Sequence, residues 1–116
     1  MPLDELKTIV VNALEELKAV DLKVLDVRRI ASFTDFMIIA SGTSSRHVRA
    51  LADKVMARCK AAGVRPLGLE GEREAEWILV DLGDIVVHVM SPAMRDYYNL
   101  EKLWSAGDQA TSSAVV

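Results

Sequence analysis

Between Phe36 and Ala40 five apolar residues, Phe-Met-Ile-Ile-Ala, follow one another without a polar interruption. A half-exposed strand alternates apolar and polar side chains, so a continuous run of this length reads as a β-strand buried on both faces. Any fold the chain adopts must place this segment inside a covered sheet.

The neighbouring segments supply the other strands and the cover. Lys23 to Val27 carries β-branched residues and leads, through Arg28 to Thr34, into the buried run. Trp77-Ile78-Leu79-Val80-Asp81 and Ile85-Val86-Val87-His88-Val89 are separated only by Leu82-Gly83-Asp84, which predicts an antiparallel hairpin. A two-residue Leu-Gly turn or a three-residue loop would set Trp77 opposite His88 or Val89, and one step of register exchanges the faces. Pro66 admits only an extended entry, which makes Leu67 to Leu69 a short strand.

Residues 3 to 18 repeat Leu3, Leu6, Ile9, Val10, Ala13, Leu14 and Leu17 at helical spacing and predict an amphipathic helix. After Ser41-Gly42-Thr43-Ser44 the helical period returns in Val48, Leu51, Val55 and Cys59. A second helix therefore spans about 44 to 62, with Thr43 or Ser44 as its cap and Gly63 as its stop. Pro92 opens a short C-terminal helix that carries Tyr97, Tyr98 and Trp104. The order α-β-β-α-β-β-β-α describes an α/β sandwich, a single domain over residues 1–104, with a mixed sheet and helices mainly on one face. Residues 105–116 are small and polar and are expected to form a disordered tail.

A formal net charge of -3 argues against general affinity for nucleic acid, which rests on Lys and Arg neutralising phosphates, and suits a basic protein partner better. The single cysteine, Cys59, has no partner for an internal disulfide and reads as a small core residue of a reducing compartment. No stretch approaches the roughly 18 apolar residues of a membrane span, and no signal-peptide pattern opens the chain, so a cytoplasmic protein is expected.

The segments that could carry chemistry are few. A strand, then Ser41-Gly42-Thr43-Ser44-Ser45, then a helix resembles a phosphate cradle, but no P-loop or dinucleotide fingerprint surrounds it, and helix capping accounts for the same residues. Glu70, Glu72, Glu74 and Glu76 alternate, which in a strand would face four carboxylates toward one cation. Gly71 and like-charge crowding argue instead for a solvated acidic loop that steers a basic partner. His47 and His88 lack the neighbours of a zinc site or a triad, so no catalytic residue, metal site or cofactor is assigned. Trp77 stands out, because indole joins a large apolar area to one donor and is enriched at the centres of interfaces.

Taken together, Thr34 to Ile39, Ser41-Gly42-Thr43-Ser44-Ser45-Arg46-His47-Val48, Glu70-Gly71, Trp77 to Asp81, Gly83 to Val89 and Leu100-Glu101-Lys102-Leu103-Trp104 resemble the ribosomal silencing factor, or Iojap, family. The resemblance covers about residues 3 to 104. It implies a nucleotidyltransferase-like α/β fold and binding to ribosomal protein L-fourteen of the large subunit. That binding would block joining of the small subunit and repress translation when nutrients are short, and the resemblance also implies a capacity for self-association as a homodimer. The fold name invites an alternative, a metal-dependent nucleotide-processing enzyme using Ser44, Asp35 and the glutamate stretch, but the paired acids of active nucleotidyltransferases are missing. The expected surface is therefore a partner-binding one. Trp77 and Leu79 form its apolar centre, Met90, Met94 and Tyr97 add to it, and Glu70 and Asp84 make an acidic rim.

Overall fold

A computed structural model describes residues 1–104, so the expectation of a disordered tail over 105–116 falls outside the described residues. The chain runs α1 (Leu3–Glu16), β1 (Val20–Asp26), β2 (Phe36–Ser41), α2 (Ser45–Ala61), β3 (Gly68–Glu70), β4 (Trp77–Asp81), β5 (Ile85–Met90), α3 (Pro92–Tyr98) and α4 (Leu100–Trp104). The five strands make one sheet in the order β1-β2-β5-β4-β3. Only β2 and β5 are parallel; the other three pairings are antiparallel, as the mixed sheet predicted.

The continuous apolar run sits where its pattern requires. Every residue of β2 and of its neighbour β5 is buried, whereas β4 alternates between half-buried and buried positions. On one face Phe36, Ile38, Ala40, Ile78, Val80, Ile85, Val87 and Val89 pack with Leu6, Val10 and Leu14 of α1 and with Val48, Leu51, Val55 and Cys59 of α2. Cys59 is a core residue, and burial pushes its thiol up.

The opposite face is not simply left open. Leu25, Val27, Met37, Ile39 and Met90 form a second, smaller core there, closed by Ala31, Met94, Leu100 and Trp104. The short C-terminal helices and the loop after β1 thus cover β1, β2 and β5. Trp77 and Leu79, toward the β4–β3 edge of this side, are only half-buried.

Three differences from the sequence reading have physical causes. Strand β1 begins at Val20 rather than Lys23, because it is an edge strand with a register shift between Val20 and Lys23 and Asp21 at φ 52, which breaks the alternation. The C-terminal helix is divided in two by Asn99, held in the left-handed region at φ 49, a conformation asparagine tolerates. The hairpin register is neither of the two considered: Trp77 pairs with Met90 and Leu79 with His88. The turn is Gly83-Asp84, closed by the Leu82 amide donating to the Ile85 carbonyl at 2.9 Å, with Gly83 first at φ +88. Positive φ at the first central residue is what a two-residue hairpin of type II′ needs, and glycine supplies it without strain.

Candidate partner-binding surface

Residues paired across a sheet project to the same face, so the observed register groups Trp77 and Leu79 of β4 with His88 and Met90 of β5 and with Glu70 of β3. All five lie on the side away from α1 and α2. Trp77 is half-buried. Its indole Nε1 donates to His88 Nδ1 at 2.9 Å, and the two rings are tilted with centroids 5.9 Å apart. Tyr98, at the end of α3, lies tilted against Trp77 with ring centroids 4.9 Å apart, and Tyr97 meets Tyr98 edge-on at 4.9 Å. Tyr97 is 80% exposed and Tyr98 49% exposed, so this aromatic row opens outward from a buried histidine.

Trp77 is held from behind as well. The chain turns at Gly71 with φ +86, and a Cβ there would lie 2.0 Å from the Trp77 carbonyl oxygen. The acidic loop therefore passes directly against the start of β4 and admits only glycine at that point. The Ser91 amide donates to the Glu76 carbonyl at 2.8 Å, fixing the same end of the strand to the entry of α3.

Helix α3 is capped by Ser91, whose Oγ accepts from the Met94 amide at 3.2 Å. It is anchored by Arg95, which is only 6% exposed. The Arg95 guanidinium donates to Glu101 Oε1 of α4 at 2.6 Å, to Ser41 Oγ of β2 at 3.0 Å and to the Val20 carbonyl of β1 at 3.4 Å. One buried cation thus ties four elements together and holds Tyr98 over Trp77.

Not every residue expected at the surface is available there. Met90 is fully buried beneath the aromatic row, so it supports the surface and a partner cannot touch it in this conformation. Met94 is half-buried in the second core. Asp84 is exposed, but it lies at the hairpin tip, the end of β4 away from Trp77 and roughly 17 Å from it by strand rise. Glu70 is exposed opposite Leu79 and remains the acidic neighbour. Sequence reasoning missed Tyr98 and the role of His88. A lone histidine inside a run of buried residues needs a hydrogen-bond partner, and the only indole on the hairpin is a donor; that pairing was the available signal.

The candidate phosphate turn is occupied by its own contacts. Ser44 caps α2 by accepting from the His47 amide at 3.1 Å, the Thr43 amide donates to His47 Nδ1 at 2.9 Å, and the Gly42 amide donates to the Met90 carbonyl at 3.1 Å. His47 Nε2 donates to the Leu17 carbonyl at 2.7 Å, so this ring clamps the end of α1 to the turn. Asp35 and Ser44 flank opposite ends of β2, roughly 20 Å apart by strand rise. Among the described residues no group of three His, Cys, Asp or Glu side chains is placed to hold a metal ion. No described helix is long and apolar enough to cross a membrane.

Comparison with known proteins gives one answer. The family model described as ribosomal silencing factor during starvation matches residues 2–115. A ribosomal silencing factor of Chromobacterium violaceum is 47% identical over 115 residues, covering 99% of this chain and 93% of that protein. The mouse protein named mitochondrial assembly of ribosomal large subunit protein 1 is 36% identical over 98 residues, covering 82% of this chain and 43% of the longer mouse protein. A crystal structure from Chromobacterium violaceum superposes with a TM-score of 0.89 at 44% identity, over 97% of this chain and 93% of that one. The mixed five-stranded sheet with its helices is the fold shared with that structure, and the chain belongs to the ribosomal silencing factor family.

Proposed function

We propose that this protein binds the large ribosomal subunit through ribosomal protein L-fourteen, sterically blocks association with the small subunit, and so represses translation under nutrient limitation. It acts in the cytoplasm by occupying a surface and carries no catalysis of its own. The observation that carries this reading is the uncovered β4–β3 edge of the second sheet face. There Trp77, Leu79 and Tyr98 present apolar and aromatic surface from a rigid, hydrogen-bonded support, beside the carboxylate of Glu70. An apolar centre next to acidic groups is complementary to a basic ribosomal protein, with the centre supplying affinity and the carboxylates the encounter rate. The family description and the name of the mouse relative both point to the ribosome, and the latter to its large subunit.

The enzyme alternative finds less support: the Gly42 and Thr43 amides are engaged within the fold, and Asp35 and Ser44 stand at opposite ends of a strand. A homodimer would use the same aromatic edge, so the free dimer and the ribosome-bound protomer would exclude each other.

Sedimentation of the purified protein with separated large subunits, small subunits and joining mixtures tests the proposal. Co-sedimentation with large subunits alone and fewer joined ribosomes are expected. Both effects should be lost in folded Trp77→Ala, while Glu72→Ala weakens binding only slightly and changes its salt dependence. Equal, small losses in the two variants would remove Trp77 from the interface, and dimers that persist in excess large subunits would favour self-association instead.

A further inference from the structure

His88 is the one histidine in the sheet, 5% exposed, and its two ring nitrogens have different fates. The indole N–H of Trp77 can only donate, so Nδ1 of His88, 2.9 Å away, must be the unprotonated acceptor. The proton of the neutral ring therefore sits on Nε2, which is buried and has no hydrogen-bond partner among the described residues. A valine or phenylalanine at this point would leave no such orphan. The fold retains a polar ring whose one hydrogen bond among the described residues is the one to Trp77.

The placement of that bond gives it a consequence. His88 pairs with Leu79, so it stands diagonally across from Trp77 on the same face, where a long side chain can reach. Tyr98 also contacts the indole, with ring centroids 4.9 Å apart. The indole thus has two ring contacts, and its single polar group is engaged by the buried histidine.

We propose that His88 is the positioning residue of the docking surface: it fixes the Trp77 indole before the partner arrives and removes its N–H from the contact. This rests on Trp77 being at the interface, and it specifies the chemistry of what Trp77 meets. The partner presents aliphatic or cationic side chains to the indole face and edge, and no acceptor for its N–H. Preorganisation of this kind raises affinity by reducing the side-chain freedom lost on binding.

Two readouts test this. In the unmodified protein at neutral pH, nitrogen-15 correlation spectra should show His88 as the neutral ring protonated on Nε2, and the Trp77 indole hydrogen should exchange with solvent far more slowly than that of Trp104. His88→Phe keeps a ring and removes the acceptor; His88→Asn restores an acceptor near the place of Nδ1. For His88→Phe we expect indole exchange to accelerate and binding to purified large subunits to weaken, each on the order of tenfold, while His88→Asn stays within roughly threefold of the unmodified protein on both. A proton on Nδ1, or His88→Phe with unchanged binding, overturns the proposal. Should His88→Phe fail to fold, the tautomer and the exchange rate of the unmodified chain decide the matter. Should the unmodified chain not bind large subunits at all, the proposed function fails, while these two spectra still report on the Trp77–His88 bond itself.

Discussion

The two faces of the sheet are built from the same strands by different rules. On the face under α1 and α2 the apolar residues from Phe36 to Val89 close on one another and on the two helices as one large core. The face under α3 and α4 holds Ser41, His88 and Arg95, three of the four buried polar residues of the described chain, and ends in half-buried Trp77 and Leu79. Apolar packing is non-directional and fixes that a core exists; hydrogen bonds are directional and fix how a particular side chain is aimed. The first face therefore holds the molecule together, and the second orients an aromatic row, the surface proposed to meet the partner.

Adjacent residues of β4 offer the sharpest attempt to break this contrast. Ile78 is fully buried on the first face, and Ile78→Ala should cost about 4 kcal/mol in chemical denaturation while leaving large-subunit binding of the folded fraction intact. Trp77→Ala should do the reverse. If the two variants behaved alike, the assignment of stability and recognition to opposite faces would be wrong.

Acid comes next in size, and on the second face it acts through His88. Burial holds His88 at about 4 against an ordinary 6.5, so between those pH values the unfolded chain binds a proton that the folded chain refuses. Stability is then constant above the unfolded value and falls as pH drops toward the folded one, by roughly 3 kcal/mol in all. Equilibrium unfolding of the unmodified chain and of His88→Phe at pH 7 and pH 4.5 measures this; the variant should lose less stability across the interval.

Arg95→Ala should cost about 2 kcal/mol, because Glu101 and Ser41 lose their partner inside a partly shielded site. The loss should be local in character. Hydrogen exchange should quicken over residues 92–104 while amides of α2 stay protected, and uniform acceleration would mean that the C-terminal helices belong to the main core.

The smallest expected effect is that of Gly83→Ala, about 1 kcal/mol, since only the left-handed conformation of the hairpin turn and a contact with Leu67 are disturbed. Binding should survive if the register of Trp77 opposite Met90 is also held by Gly71 and by the Ser91–Glu76 bond at the other end of the strand.

What was legible in the sequence was the part governed by periodicity and local chemistry. The unbroken run from Phe36 predicted a doubly buried strand, the 3.6-residue repeats predicted α1 and α2, Ser44 and Gly63 bracketed the second helix, and the motif order pointed to the family that the comparisons show. Trp77 could be named because its indole joins a large apolar area to one donor, and Leu79 because it lies two residues away on the same face of the strand.

The rest depended on contacts between segments distant in the chain. Whether Trp77 faces His88 or turns away is set by one step of hairpin register, which the turn Gly83-Asp84 decides and the flanking residues do not encode separately. That Met90 is buried, that Tyr98 covers the indole, and that Asp84 stands far from it follow from where α3 docks, and Arg95 fixes that docking through partners 54 and 75 residues away in sequence. Local sequence carries the period of an element and the residues that start and stop it. The direction in which one side chain is held depends on a hydrogen bond whose other half comes from elsewhere, and only the tertiary structure brings the two together.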